Sequence, residues 1–507
     1  MWGLVAIGIV IRIVRYAADR SLWGDESALA LNILQRSPRE LFEPLDYLQG
    51  APTGFLLAEK AVTHVLGDDE LSLRLVPLIC GVAALVVFAL VARRILQTEA
   101  AVLAVALVAF SDPLVYYSSE VKQYEPDVLA AVLLLYGAVA VDWARVRFVS
   151  GAALGLAGAS VVWFSHAALL ILPSLLAVLI VSAWLRRARA ELRVLISLGL
   201  VWGVSAIGAF ALNRENTEAV ADAALGATGS TGQGVREPFA KAWDAYAEVV
   251  GVANTATALA ALAAVAGLLV LWRRNPWHAT LVVAPGIAAF LAGALGRYPF
   301  SDRFILFIAP ALILVTAEGA VALVGALPRG LRPAGVAALV LLLAYPVVLS
   351  AKRALDPPGH EEVKSVLRVM EREWRPGDAL HVWYQSQYPF RYYAECEDCD
   401  VLAPDGPASV VWPPDSRELA AQNALATHEP GLYLSSSSHN PATYAPSLAR
   451  LDGRSRVWFL FSSSWDDVLV RHVLDCMGRL QREVRETRAV AYLYDLAAPP
   501  ESSSCAG

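Results

Sequence analysis

Two adjacent carboxylates, Asp25 and Glu26, follow directly after the first hydrophobic segment of the chain. Charged side chains at the mouth of a membrane segment are costly unless they face water, a cation or a substrate. A positioned carboxylate can accept the proton of an attacking hydroxyl group, which is the role of a general base. We therefore predict that Asp25 is the catalytic base and that Glu26 lies beside it in the site.

Further polar and charged clusters stand in later connections between hydrophobic segments. One reads YYSSEVKQYEPD at 116–127, and another reads RYPFSDR at 297–303. Carboxylates and cations brought together at one membrane face can deprotonate a hydroxyl group and hold a phosphate. Glu120 is a further candidate carboxylate for the site. The predicted substrate-binding positions are Gln49, Lys122, Asp127, His166, Arg297, Tyr298 and Arg303.

Each of these residues also has a structural explanation. Asp25 could cap the helical segment that follows it. The charges of segment 116–127 could form a solvated ion pair of little energetic value. Arg297 and Arg303 could contact lipid head groups, and His166 could satisfy the end of a membrane helix.

The composition indicates a membrane protein. Of the 507 residues, 57% are hydrophobic, and that much apolar side chain cannot be buried in one water-soluble core. Lipid must therefore be the solvent for most of the chain. The net charge of -6 argues against a nucleic-acid partner, because a large basic surface is needed to neutralise a phosphate backbone.

A membrane helix needs roughly 20 mostly apolar residues. The sequence therefore predicts a polytopic α-helical membrane domain of about 11 transmembrane helices over residues 1–350. The first of them contains Arg12 and Arg15 and lacks a basic n-region, so we expect an uncleaved helix whose arginines snorkel or pair within the bundle. The predicted spans are 2–18, 73–92, 100–117, 127–143, 148–165, 166–184, 194–212, 251–272, 279–296, 304–327 and 333–350.

Arginines concentrate in alternate connections, for example at 93–94, 186–193 and 273–274. The positive-inside rule places these connections and the N-terminus in the cytoplasm, and the Asp25 loop outside. An odd number of spans then places the C-terminal part outside as well. The expected protein is multi-pass, with its site and its C-terminal domain on the extracytoplasmic side.

Three outward regions exceed simple turns. The first outer loop, 19–72, contains amphipathic patches suited to the membrane interface. The outer loop 213–250 has a Gly/Ser/Thr-rich centre, which we expect to be mobile and to close over a substrate. Residues 351–507 alternate strand and helix patterns, including a helix over 465–485, and predict a small soluble α/β domain.

Four of the five cysteines, Cys396, Cys399, Cys476 and Cys505, lie in the predicted soluble domain. One or two disulfides are expected there if the domain faces an oxidising compartment. Cys396 and Cys399 form a lone C-x-x-C, and no second pair or histidine cluster accompanies it, which disfavours zinc. The sequence leaves the disulfide pairing and any metal site open.

The order of these motifs resembles that of bacterial GT-C glycosyltransferases. The most similar branch is the protein-mannosyltransferase and aminoarabinose-transferase-like group, with its lipopolysaccharide-core members. The resemblance covers about residues 1–350. It rests on the acidic pair after the first span, on Gln-x-x-Pro at 49–52, LGDDELSLRL at 66–75, YSSEVKQY at 117–124 and the late Arg297 and Tyr298.

The resemblance implies a GT-C fold and a hexosyl- or pentosyltransferase that uses a polyprenyl-phosphate sugar donor. Transfer would go, usually with inversion, to an acceptor hydroxyl on a lipid, glycan or protein at the outer face of the bacterial plasma (inner) membrane. It implies Asp25 as base, Glu120 as second acid and Lys122 or Arg297 at the donor phosphate. The family's Glu-Lys-Pro phrase reads QGAP at 49–52, so we expect Lys122 to replace that lysine. No cofactor is required, and a divalent metal is possible but not indicated.

Two other function classes compete with this interpretation. A transporter or flippase for a lipid-linked saccharide would place charges near the middle of the bilayer and would show two related halves. A non-catalytic membrane anchor for the C-terminal domain would tolerate substitution of Asp25. The charges gather at one membrane face and the two halves show no similarity, which favours the transferase.

Overall fold

The computed structural model describes most of the chain. The described residues are 1–227, 255–300, 302–356, 359–396, 432–434, 451–462 and 467–499, together with 240, 243, 244, 246, 247, 399 and 448. Of the predicted mobile loop 213–250, residues 213–227 instead continue a helix, because the helix that begins at Arg189 runs on to Ala227. Residues 228–239, 241, 242, 245 and 248–250 of that loop lie outside the described residues, as does Cys505.

The described residues up to 355 are mainly helical. The described α-helices are α1 (Trp2–Tyr16), α2 (Gly24–Gln35), α3 (Thr53–Leu66), α4 (Glu70–Ile95), α5 (Thr98–Phe110), α6 (Asp112–Tyr116), α7 (Tyr124–Ala140), α8 (Phe148–Phe164), α9 (Ala168–Leu185), α10 (Arg189–Ala227), α11 (Thr255–Arg274), α12 (Pro276–Ala294), α13 (Ala309–Ala326) and α14 (Arg332–Leu355).

Within the described residues, seven helices are long and apolar enough to cross a membrane. They belong to α4, α9, α10, α11, α12, α14 and the continuous segment Arg303–Ala326, which contains α13. The pair α5 and α6, bent by 55°, makes an eighth if it counts as one span. The count of about 11 is not confirmed, because the other predicted spans form helices of only 15 residues (α1) and 17 residues (α7 and α8).

Arg12 is buried inside the bundle, where it is 1% exposed. Its guanidinium donates hydrogen bonds to the carbonyl oxygens of Gly8 at 3.1 Å and Val108 at 3.3 Å. Val108 lies in the last turn of α5, where the carbonyls have no following amide of the same helix to bind. The arginine is therefore bonded within the bundle and does not snorkel.

Helices α11 and α13 pack backbone against backbone. A Cβ atom added to Gly267 would lie 1.9 Å from the carbonyl oxygen of Val315, and one added to Gly319 would lie 1.7 Å from that of Ala263. Only glycine fits at such a separation. Small residues that allow close helix approach are a common means of association between membrane helices, where lipid supplies no hydrophobic driving force.

The described part of residues 359–499 contains a five-stranded mixed sheet with helices. The elements are α15 (Val363–Glu373), β1 (Ala379–Val382), α16 (Gln387–Glu395), β2 (Leu432–Leu434), β3 (Val457–Ser462), α17 (Asp467–Met477), β4 (Arg479–Glu486) and β5 (Ala489–Asp495). The strand order is β2-β1-β3-β5-β4; β1 is parallel to β2 and β3, and β5 is antiparallel to β3 and β4.

The predicted helix over 465–485 was wrong in its second half. Helix α17 ends at Met477, and residues 479–486 form strand β4, which pairs with β5. Gly478 lies between the helix and the strand, where an added Cβ would lie 2.3 Å from the carbonyl oxygen of Asp495. Pairing with β5 therefore overrides the helical preference of this charged segment.

The sheet and the first outer loop share one hydrophobic core. Leu29 and Phe55 of the loop and Val366 and Leu460 of the C-terminal part are all fully buried in the same cluster. Burial of a leucine-sized side chain contributes about 1.5–3 kcal/mol. The C-terminal part is thus packed directly onto the loop that carries Asp25.

We expect Gly319→Ala to lower the free energy of unfolding by roughly 1–3 kcal/mol, because the methyl group must push α11 and α13 apart. Thermal unfolding in detergent measures the change. Gly325→Ala is the matched control on the same helix, since an added Cβ there meets no atom within 4 Å. Equal Tm values for the two variants would contradict the close packing.

Candidate active site

Helix α2 presents the acidic pair at its N-terminus. It begins at Gly24 with Trp23 as its N-cap, so Asp25 and Glu26 lie in the first turn and Asp25 is not the capping residue. The partial positive charge of a helix N-terminus stabilises carboxylates there. Adjacent residues on a helix point in different directions, and the two carboxylates accordingly have different partners.

Asp25 lies between two cations. Its Oδ1 is 3.0 Å from Lys122 Nζ, and its Oδ2 is 2.8 Å from Arg303 Nη1. Gln49 donates to Oδ1 at 3.0 Å and accepts from Lys122 Nζ at 2.7 Å. Four residues predicted from separate segments therefore meet in one cluster.

The cluster keeps the Asp25 carboxyl ionised. Burial raises the pKa of Asp25, but Lys122, Arg303 and the hydrogen bond from Gln49 outweigh it and hold that pKa well below its ordinary value. The side chain keeps 21% of its surface exposed. An ionised carboxylate that is open on one side can receive a proton from an approaching hydroxyl group.

Aromatic rings surround the Arg303 guanidinium. Its carbon lies 5.7 Å from the ring centre of Trp23, 5.6 Å from that of Tyr124 and 5.7 Å from that of Phe304. Cations within about 6 Å of an aromatic face are attracted by about 0.5–2 kcal/mol. These rings fix the direction in which Arg303 points.

Glu26 is neutralised by Arg74 at the start of α4. The guanidinium binds both carboxylate oxygens, at 3.2 and 2.7 Å, and the Val121 amide donates to one of them at 2.7 Å. Arg74 also donates to the carbonyl oxygens of Arg20 at 2.6 Å and Ser21 at 3.1 Å. This fully buried pair ties α2, α4 and the segment before Lys122 together.

Glu120 is bound in a similar way. Arg20 donates to Oε1 at 3.0 Å, and the Trp23 indole donates to Oε2 at 2.8 Å. Burial would raise the pKa of Glu120, but Arg20, Arg74 and the indole outweigh it and lower that pKa. Glu120 therefore fixes the loop around the Asp25 cluster.

Asp127 lies in the first turn of α7 and contacts the turn between α8 and α9, which contains His166. The Asp127 Oδ1 atom accepts hydrogen bonds from Ser165 Oγ at 2.5 Å and from the Ala167 amide at 3.3 Å. The His166 Nε2 atom is buried and has no hydrogen-bond partner among the described residues. The Asp127 contacts stabilise the turn that joins α8 and α9.

Arg297 and Tyr298 do not belong to the Asp25 cluster. Arg297 is exposed to solvent, and the Tyr298 hydroxyl donates to the Phe304 carbonyl at 2.6 Å. No described hydrogen bond or ion pair joins either residue to Asp25. Of the two predicted arginines in this segment, Arg303 is the one in the cluster.

Sequence reasoning missed the partners of the acidic residues. Arg74 and Arg20 were not predicted as site residues, although they neutralise Glu26 and Glu120. The available signal was position, because Arg74 stands in the first turns of an apolar helix, where an unpaired charge would be costly.

The C-x-x-C pair forms a disulfide between Cys396 and Cys399, and Cys476 is also disulfide-bonded. Within the described part of the chain, no group of three or more His, Cys, Asp or Glu side chains is placed to hold a metal ion.

Residues 51–207 match the family described as dolichyl-phosphate-mannose-protein mannosyltransferase. No curated protein sequence matches the chain significantly.

Solved structures share the fold over nearly the whole chain. ArnT from Cupriavidus metallidurans in the apo state superposes with a TM-score of 0.55 at 14% identity, covering 100% of this chain and 99% of ArnT. ArnT bound to undecaprenyl phosphate gives a TM-score of 0.53 at 14% identity and covers 99% and 98%. The Archaeoglobus fulgidus oligosaccharyltransferase in complex with Zn and sulfate gives 0.50 at 13% identity and covers 96% and 72%. The predicted resemblance to GT-C glycosyltransferases is confirmed at the level of the fold.

We expect Glu26→Gln to lower the free energy of unfolding by roughly 3–5 kcal/mol, because it leaves the buried Arg74 charge uncompensated. The measurement is thermal unfolding of the purified chain in detergent. Glu43→Gln removes an exposed carboxylate from the same loop and should change stability by less than about 0.5 kcal/mol. Equal stability of both variants would show that the Glu26 pair is energetically neutral.

Proposed function

We propose that this chain transfers a sugar from a polyprenyl-phosphate donor to an acceptor hydroxyl group, with inversion, at the outer face of a bacterial plasma membrane. The observation that carries the proposal is the Asp25 carboxylate held between Lys122 and Arg303. One base and two cations are the groups that this reaction requires, because the proton must leave the acceptor and the departing phosphate must be stabilised.

In the proposed reaction the acceptor oxygen attacks the anomeric carbon of the donor sugar. The bond from that carbon to the phosphate oxygen breaks, and its electron pair leaves with the polyprenyl phosphate. Asp25 takes the hydroxyl proton, while Lys122 and Arg303 compensate the charge on the phosphate. The reaction needs no nucleotide or redox cofactor, because the phosphate is already a good leaving group.

Donor binding activates the base in this mechanism. While both cations contact Asp25, its lowered pKa makes it a weak proton acceptor. The donor phosphate competes for the same cations, and every contact that it takes from Asp25 raises the carboxyl pKa. The carboxylate thus becomes a stronger base only when a donor is in place.

An apolar cavity next to Arg303 supports the choice of donor lipid. Its volume is about 380 Å³, and Val282, Phe290, Phe300 and Leu312 are among its lining residues. Arg303 is the one charged residue among its described lining residues. An isoprenoid chain fits the apolar wall while its phosphate meets the arginine, as expected for a site with few polar groups that fix orientation.

The comparisons support the same class of donor. ArnT shares this fold and has been solved bound to undecaprenyl phosphate. The matching family is described by its use of dolichyl-phosphate-mannose, also a polyprenyl-phosphate sugar.

The predicted site residues have two kinds of function in this reaction, direct participation and support. Asp25 is the base, and Lys122 and Arg303 hold the phosphate. Glu26 and Glu120 support them, because both carboxylates are engaged by buried arginines.

We expect Asp25→Asn to lower the transfer rate at least about 100-fold, because general-base action contributes about 10²- to 10⁴-fold. The chain should stay folded with some loss of stability, since asparagine has the same shape and still accepts the Gln49 hydrogen bond but no longer neutralises Lys122 and Arg303. Transfer of labelled sugar from a polyprenyl-phosphate donor and thermal unfolding are measured together, with Glu43→Gln as control. An active Asp25→Asn variant would remove the base assignment.

Lys122→Ala and Arg303→Ala should each weaken binding of undecaprenyl phosphate by roughly 10- to 100-fold, since a hydrogen bond to a charged group contributes about 1.5–3 kcal/mol. Titration of the purified variants measures the Kd. Arg297→Ala is the matched control from the same segment and should bind like the parent. Loss of affinity in Arg297→Ala alone would move the phosphate site to Arg297.

A further inference from the structure

The segment that leads into α15 of the C-terminal part lies against the residues before Asp25. The His360 imidazole stacks on the Trp23 indole, with ring centres 4.3 Å apart and planes inclined by 15°. The contact joins two residues that are far apart in the sequence, and Trp23 lies two residues before Asp25. Both rings are partly exposed.

Trp23 connects this stack to the charged groups of the site. Its indole donates to Glu120 Oε2 at 2.8 Å, and the Arg303 guanidinium carbon lies 5.7 Å from its ring centre. The hydrogen bond to Glu120 fixes one edge of the ring, and the His360 stack holds its face. The orientation of Trp23 in turn determines one of the three aromatic contacts of Arg303.

The neighbouring residue Glu361 holds the backbone of the same loop. Its Oε2 accepts a hydrogen bond from the Gly24 amide at 3.0 Å. Gly24 is the first residue of α2, whose first amides have no acceptor within the helix. Glu361 is 3% exposed, so this bond is sheltered from water. It fixes the peptide between Trp23 and Gly24, one residue before Asp25.

Four further contacts attach this segment and the start of α15 to the first outer loop. Ser21 Oγ donates to Glu362 Oε2 at 3.1 Å and accepts from the Lys364 amide at 3.1 Å. The Lys364 ammonium forms ion pairs with Asp19 at 3.0 Å and with Glu70 at 2.8 Å. The place of His360 is therefore set by several bonds around it.

We propose that His360 is a positioning residue, which acts through Trp23 on Arg303 and thereby couples the C-terminal part to the reaction site. The inference rests on the proposed function, since Arg303 is assigned there to the donor phosphate. It gives the C-terminal part a role at the site that its sequence did not indicate. The stack requires a flat ring at position 360 and does not require a charge.

The test measures Kd for undecaprenyl phosphate with the purified full-length chain in detergent. His360→Ala removes the face contact, which lets the Trp23 ring turn and releases one aromatic contact of Arg303. We expect Kd to rise by roughly fivefold to tenfold. His360→Phe keeps a flat ring, so we expect a Kd within about twofold of the parent.

A destabilised control separates positioning from general loss of structure. Arg456 pairs with Asp378 through both oxygens, at 2.6 and 3.0 Å, and no described contact joins it to residues 19–26. Arg456→Gln should lower Tm while Kd stays at the parent value. If Arg456→Gln and His360→Ala weaken binding equally at the same loss of Tm, the effect is structural and the positioning role is overturned.

The remaining outcomes distinguish this inference from the proposed function. Unchanged Kd in His360→Ala, with normal binding by the parent, overturns the role of His360 and leaves the proposed function standing. Failure of His360→Phe to restore Kd also overturns the stacking argument. A parent chain that does not bind undecaprenyl phosphate overturns the proposed function itself, and the inference with it.

Discussion

A carboxylate placed between two cations is the interaction on which the arrangement of this protein depends. Asp25, Lys122 and Arg303 come from distant parts of the chain, and the Asp25 carboxylate oxygens lie 3.0 Å from Lys122 Nζ and 2.8 Å from Arg303 Nη1. Removing each of these charges from water costs free energy that only mutual contact offsets. The ends of several helices must therefore be held together accurately, and much of the surrounding structure does that.

The two acidic residues at the start of α2 have different roles in this arrangement. Glu26 is fully buried and saturated by Arg74 and a backbone amide, so it fixes the helix against α4. Asp25 keeps part of its surface open. Because consecutive helical residues point in different directions, one turn can supply both an anchor and an accessible carboxylate. Rigid support of a reactive group by its neighbours is what accurate positioning requires.

The C-terminal part is integrated with the membrane part through the first outer loop. The two share a hydrophobic core, and the ion pairs of Lys364 reach Asp19 and Glu70 on the loop side. The loop is therefore clamped between the helix bundle and the sheet. Its conformation, and with it the position of Asp25, depends on both.

Local sequence information was enough to predict the membrane class, the acidic pair after the first helix, the charged segment around Lys122 and the presence of both strands and helices in the C-terminal part. These features depend on composition and short-range periodicity, which the chain carries residue by residue. The resemblance to GT-C glycosyltransferases rested on motif order in the same way, and the solved structures agree with it at the level of the fold.

Tertiary structure decided everything that depends on a partner. It selected Arg303 over Arg297, which lies six positions earlier, and it assigned Glu26 to Arg74 while leaving Asp25 to Lys122. Residues 479–486 form a strand because they pair with β5, and the local sequence pattern does not encode that pairing. Tertiary structure also brought His360 to Trp23. The sequence specifies the side chains, but packing over hundreds of residues determines which of them come into contact. The chemistry of the site depends on those contacts.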